Sequence, residues 1–177
     1  MAKPIIYLSL IFGISLLLSS CSQPPIPVAQ VDVAQEAPIE QELQGETLDV
    51  RNCLSNDIML TTLAAQAPVR QQISIPKQAT VVETGSAIDI PNEILDELKL
   101  QVQSEFQPIF EEAVANAENV ELVIPGLKIH MYRIRWIQRI YQSTISFSIN
   151  DQACTASYVY TLDTPELIDY TVSACTA

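Results

Sequence analysis

Histidine occurs once in 177 residues, glycine four times, and lysine with arginine nine times. A single histidine, His130, excludes a zinc site built from several imidazoles. Glycines at 13, 45, 85 and 126 are too dispersed to wrap a phosphate. Thr84-Gly85-Ser86-Ala87 lacks the glycine spacing of a nucleophile elbow. There is no Cys-x-x-Cys pair, no loop with EF-hand spacing and no internal repeat. No cofactor and no metal are therefore expected. The scarcity of bases against 21 acids also argues against nucleic acid, whose affinity comes largely from neutralised phosphates.

One strongly apolar run is present, Ile5 to Leu18, about 14 positions long. That is the size of a signal-peptide core and short for a membrane-spanning helix. Lys3 precedes it and Leu18-Ser19-Ser20-Cys21 follows it. Positive end, apolar middle, small residues and cysteine, in that order, resemble the signal and lipobox of bacterial lipoproteins. The resemblance covers residues 1–21. It implies that residues 1–20 are a signal peptide and that the Cys21 thiol takes a diacylglycerol before the signal is cut away. It further implies an exported protein held in the cell envelope by lipid. The site would be the outer membrane of a diderm organism, otherwise the outer face of the plasma membrane. Two or three acyl chains anchor stably where one does not.

After Cys21 come Pro24, Pro25, Pro27 and Pro38 among Gln and Glu. Proline removes backbone donors and polar residues bury little, so residues 21–46 read as the lipidated cysteine and a disordered tether. Residues 47–177 suit one globular domain. Without Lys3, 8 bases face 21 acids, a net of −13. An exported chain can form disulfides. Of the remaining cysteines, Cys53 opens the folded part and Cys175 closes it, which favours their pairing. Three reduced thiols, or another pairing, stay open as alternatives. Cys154 shares the parity of Ala156, Tyr158, Tyr160 and Leu162 and reads as a small buried apolar residue.

Alternation gives short strands at 48–53, 58–64, 69–75 and 80–84, and another at 120–124. Ile94, Leu98, Val102, Phe106, Ile109/Phe110, Ala113 and Ala117 form the stripe of one long helix beginning at Pro91. Pro108 should kink that helix or divide it. Pro125-Gly126 suggests a type II turn. Residues 127–149 hold almost no breaker. Tyr132, Ile134, Trp136 and Ile140 share even parity, whereas Ile145, Phe147 and Ile149 share odd parity. That change of phase predicts a β-bulge near Gln142-Ser143-Thr144. Asn150-Asp151 suits a hairpin turn into a strand at 153–162, and a last strand covers 167–174. The expected fold class is α+β: one long helix packed on a curved antiparallel sheet with long C-terminal strands. This element order is similar to cystatin-like and helix-grip architectures, without any shared motif.

Arg133, Arg135 and Arg139 share odd parity and, with Lys128, concentrate four bases within 12 residues. They form either a patch for an anionic ligand or a row of cross-strand partners for acids of the same domain. His130 and Trp136 read as strand and core residues. Glu111 and Glu112 point about 100° apart on a helix and are poorly placed to share one bond of a substrate. The functional expectation is a membrane-anchored, non-enzymatic binding or structural module. Its partner would be an envelope protein or a cell-wall polymer. The alternatives are a small carboxylate-dependent hydrolase acting on envelope polymers, and an accessory subunit of an envelope complex.

Overall fold

The structure is a computed structural model that describes residues 29–175. The expected signal peptide, Cys21, Pro24, Pro25 and Pro27 lie outside the described residues. In chain order the elements are β1 (Ala29–Val33), β2 (Ile39–Asn52), β3 (Met59–Thr62), α1 (Leu63–Gln66), β4 (Arg70–Ser74) and β5 (Gln78–Val81). They continue with β6 (Ala87–Asp89), α2 (Asn92–Glu118), β7 (Glu121–Ile124), β8 (Lys128–Ile149) and β9 (Gln152–Ala174). Strands account for 57% of the described residues and helices for 21%. The chain is thus mostly β with antiparallel sheet, so strand outweighs helix by more than the expected α+β class implies.

The spine is the β8–β9 hairpin. Its ladder runs antiparallel from Lys128 opposite Ala174 to Ile149 opposite Gln152. Asn150 and Asp151 both take positive φ, 49° and 63°, as a two-residue turn matched to strand twist requires. β-branched Ile, Thr and Val recur along both strands and favour the pleat. The outer edge of β8 carries β1 beside the hairpin turn and β2 along the other half. The outer edge of β9 carries β4 and then β5, which β6 extends. β3 and β7 form a separate two-stranded sheet.

Residues 29–33 and 39–46 are paired strands, so the expected tether does not extend to residue 46. Their composition is polar because much of their partnership is polar. Glu40 lies opposite Arg139, and Ile39 to Leu43 pair in register with Ile140 to Trp136. At Gly45 the register shifts, and a Cβ there would stand 2.8 Å from the Ile134 carbonyl oxygen. β9 also shifts register beside Arg133 and Ile134. Two irregularities therefore flank the same point of β8.

The predicted bulge at 142–144 is absent, because pairing of β8 with β9 is unbroken from Ile134 to Ile149. The change of phase has a different cause. Even residues His130 to Trp136 are buried, and so are the odd residues Tyr141, Ile145, Phe147 and Ile149. Since successive side chains alternate sides, the two halves of the hairpin are covered on opposite faces. α2 covers the half near the hairpin turn. There Phe106 stacks on Tyr160 at 4.3 Å and packs against Tyr141, beneath Ile94, Leu98 and Val102. β3, β7 and α1 cover the other half, where Leu122 and Ile124 meet Val50 and Tyr132, and Leu63 meets Ile134 and Trp136.

Local expectations fared unevenly. α2 is one helix of 27 residues that contains Pro108, rather than two helices. Residues 63–66 coil into a helical turn capped by the Thr62 hydroxyl, so β3 is shorter than expected. β5 lies at 78–81 rather than 80–84, and β6 is an additional strand. At Pro125-Gly126 the positive φ falls on Leu127, 59°, so the turn is not type II at Gly126. Gly126 is needed instead for space, since a Cβ there would collide with the Asn56 backbone.

Cys53 and Cys175 form a disulfide across 122 residues, with Cα atoms 5.6 Å apart. Cys154 is a buried free thiol, as its parity suggested. Next to the disulfide, the Leu127 N–H donates to the Asn52 carbonyl at 2.8 Å, and the Cys175 N–H donates to the Leu127 carbonyl at 3.2 Å. Replacing both cysteines (Cys53→Ser with Cys175→Ser) should lower the unfolding free energy by several kcal/mol, up to about 5. Urea unfolding of oxidised, reduced and substituted protein checks this, with the last two expected to coincide.

Candidate functional site

A groove lies where the C-terminal half of α2 crosses the middle of the β8–β9 hairpin. Two adjoining recesses of about 520 and 360 Å³ share Ala113, Asn116 and Arg139. Ala113 and Ala117 are small at the place where the sheet changes its covered face, and residues 137–140 are all half-buried there. The short side chains of the two alanines leave the recesses open between helix and sheet. Leu63, Val120 and Leu167 line the apolar end of the larger recess, and Glu112 and Tyr141 line the smaller one.

Arg139 is the cation shared by both recesses. Its Nε donates to Glu40 at 2.6 Å. Its terminal nitrogens make no hydrogen bond among the described residues and are free for a ligand oxygen. Tyr141 is buried, and that burial raises its pKa above the ordinary phenol value. Arg139 opposes the rise, whereas Glu40 and Glu112 add to it. Tyr141 is thus a neutral hydroxyl. Glu166, at the rim, is held by Arg135 Nη2 at 2.7 Å. The Thr164 hydroxyl donates to the Ile137 carbonyl at 3.2 Å. This set of groups can orient and hold a molecule; it contains no side-chain nucleophile paired with a base. Glu111 and Glu112 are both exposed, and Glu112 alone of the two lines the groove. Sequence reading did not find the groove, because its lining comes from α1, α2, β8 and β9 together.

The four residues singled out as an anionic-ligand patch do not form one free patch. Arg133 forks onto Asp169 through Nε at 2.9 Å and through a second bond from Nη2. Arg135 binds Glu166 and stands 3.7 Å from Glu42. Arg139 turns to Glu40. Cross-strand acids thus meet all three arginines, and Lys128 stands apart, exposed at the strand start. Hydrogen bonding and charge from Glu166 raise the Arg135 pKa further. Trp136 is buried, donates from Nε1 to Glu46 at 3.0 Å, and has the Arg70 guanidinium 4.3 Å above its ring.

His130 lies in an aromatic nest at the disulfide end. Its ring stacks on Tyr170 at 5.0 Å, and Nδ1 lies 3.1 Å from the Tyr132 hydroxyl. Val50 and Val172 are its cross-strand neighbours. Nε2 is buried without a partner. Desolvation lowers the pKa of the imidazole, and no acid faces it from β2, β8 or β9 within this nest. Among the described residues no group of three metal-ligating side chains occurs, and no helix is long and apolar enough to cross a membrane. In comparisons with known proteins, no family model, no curated protein and no solved structure matches the chain.

Exchanging the charges by Arg133→Glu with Arg135→Glu should lower the melting temperature by on the order of a few degrees. Adding Asp169→Arg with Glu166→Arg should restore most of it, as calorimetry of the double and quadruple variants would show. The lowered pKa of His130 means that the unfolded chain binds the proton first as pH falls. Its contribution to stability is therefore complete above pH about 6.5 and declines as pH falls toward the folded value. The urea midpoint should hold between pH 8 and 7 and drop between 6.5 and 5.5. His130→Phe should flatten that slope.

Proposed function

We propose that this chain is a lipid-anchored cell-envelope protein acting as a non-enzymatic binding module. The observation that carries the reading is the Cys53–Cys175 bond, which links positions 122 apart in a chain that carries a lipobox-like Leu18-Ser19-Ser20-Cys21. Such bonds persist in oxidising, exported compartments. The groove supports binding rather than hydrolysis, since Arg139 and the neutral Tyr141 offer donors without a paired acid and base. Its ligand is an envelope polymer or protein segment that presents an oxygen anion to Arg139. In the same reading the sheet curves about α2, bent by the two irregularities beside Ile134. The acidity of the chain keeps an envelope protein soluble at a crowded surface.

The test is the thiol. Expressed with its own N-terminus in a lipidating bacterium, the protein should partition into the detergent phase and carry the mass of acyl chains. Cys21→Ser should move it to the aqueous phase without that mass. Equal partitioning and equal acyl mass in both proteins would end the proposal.

A further inference from the structure

We propose that the groove between α2 and the β8–β9 hairpin receives a zwitterion: an amino-acid group that keeps both its ammonium and its carboxylate, with an apolar body beside them. The inference rests on the reading of this groove as a binding site for envelope material, and it adds the chemistry of the ligand. Two walls face each other across the smaller recess. α2 supplies one of them. Glu112 and Asn116 are four residues apart on the helix, so they are neighbours on one face, and Ile109 and Ala113 belong to the same face. β8 supplies the other wall. Arg139 and Tyr141 alternate around Ile140 and share one side of the strand. A carboxylate and an amide on the helix thus oppose a guanidinium and a hydroxyl on the sheet, with the short, buried Ala113 between them. Arg139 and Glu112 both act on the Tyr141 phenol, in opposite directions, so both charges stand near its hydroxyl.

These groups do not satisfy one another. Glu112 forms no ion pair among the described residues, with Arg139 or with any other base. The side chains of Glu112, Asn116 and Tyr141 make no hydrogen bond among the described residues, and Arg139 uses only its Nε, on Glu40. Tyr141 is only 7% exposed, and a phenol buried to that degree is normally bonded. Its hydroxyl instead opens onto the recess that Glu112 and Arg139 line. A base and an acid that border one cavity without meeting leave a gap that a molecule carrying both charges fills.

Charge selects the class of ligand. Glu40 already holds Arg139, Glu112 lines the smaller recess and Glu166 the larger one. A plain anion would gain the guanidinium but meet these carboxylates. A plain cation would gain Glu112 but meet the guanidinium. Like charges brought together at a contact are unfavourable, and a zwitterion avoids both conflicts. Its carboxylate takes the terminal nitrogens of Arg139, and its ammonium takes Glu112, with the Asn116 amide and the Tyr141 hydroxyl completing the bonds. Arg139 and Asn116 also border the larger recess, whose other end is apolar through Leu63, Ala117, Val120 and Leu167. The apolar body of the ligand lies there. Recesses of about 520 and 360 Å³ suit a small molecule, or one branch of a polymer, rather than a folded partner.

The experiment uses the full lipidated chain in mild detergent, with radiolabelled leucine as the probe in equilibrium dialysis. Saturable binding is expected. N-acetylleucine, which lacks the cation, and leucinamide, which lacks the anion, should each compete at least tenfold less well. Glu112→Gln should weaken leucine at least tenfold and leave N-acetylleucine unchanged or tighter. Arg139→Gln should weaken leucine as much and leave leucinamide unchanged. Melting temperatures establish that the variants fold. Should Arg139→Gln fold poorly, Asn116→Leu replaces it, at an exposed helix position that borders both recesses, and should abolish leucine binding. N-acetylleucine competing as well as leucine would overturn the zwitterion and leave an anion site at Arg139. Leucinamide competing as well as leucine would overturn the zwitterion and the anion reading together. The absence of saturable binding up to about 10 mM leucine would also overturn the proposal. Sedimentation of the chain with isolated cell walls separates the two sources of the group. Walls that carry the chain down and release it to leucine identify a polymer branch. Leucine binding without sedimentation would sustain the zwitterion as a free amino acid and end the polymer reading, and walls that bind the chain but never release it to leucine would end the zwitterion alone.

Discussion

The ladder between β8 and β9 is the constraint on which the other elements depend. It joins strands of 22 and 23 residues that neighbour each other in sequence, so a two-residue turn suffices to set its register. Each outer edge is then long enough to accept two strands end to end: β1 and β2 on one side, β4 and β5 on the other. A hairpin of this length exposes two faces in each half, and one cover does not bury them all. The chain supplies two covers, α2 for one half and the β3–β7 sheet with α1 for the other, and places them on opposite faces.

That arrangement explains the distribution of polar residues along β8. In the half covered on its even face, the odd face is wet and holds Arg133 and Arg135. In the half covered on its odd face, the wet positions are Gln142, Thr144, Ser146 and Ser148. The arginines are crowded into a few residues because the strands on both sides supply acids, Glu40 and Glu42 from β2, Glu166 and Asp169 from β9. A cluster of bases in an acidic chain is here a sign of sheet pairing, and the exposed pairs act on register more than on stability.

What was legible in the sequence was local, or periodic over a long stretch. The stripe from Ile94 to Ala117 identified α2, and Asn150-Asp151 identified the hairpin turn. The Cys53–Cys175 pairing was legible because the two cysteines sit at the ends of the expected domain, although β1 and β2 precede Cys53. The phase change along β8 was legible as a pattern, but its cause was not. A bulge and a change of covered face produce the same string of apolar residues, and only the partner strand distinguishes them. The first part of β2, up to residue 46, was hidden because much of what holds it, Arg139 opposite Glu40 and Ile134 beside Gly45, lies about 90 or more residues away. Gly126 looked like a residue needed for its backbone freedom, yet what requires it is the closeness of Asn56.

The groove follows from the same geometry. A sheet that changes its covered face must pass through a zone where neither cover is complete, and residues 137–140 are that zone. Larger side chains at positions 113 and 117 would fill it and extend the core cluster that Phe106 anchors. Alanine at both positions keeps it open, and it sits beside Arg139, whose terminal nitrogens stay unbonded among the described residues. Closing the cavity would have favoured stability, since unfilled space beside a core forfeits dispersion contacts. Its persistence leaves open space beside a partly free guanidinium, at the switch between the two covered halves.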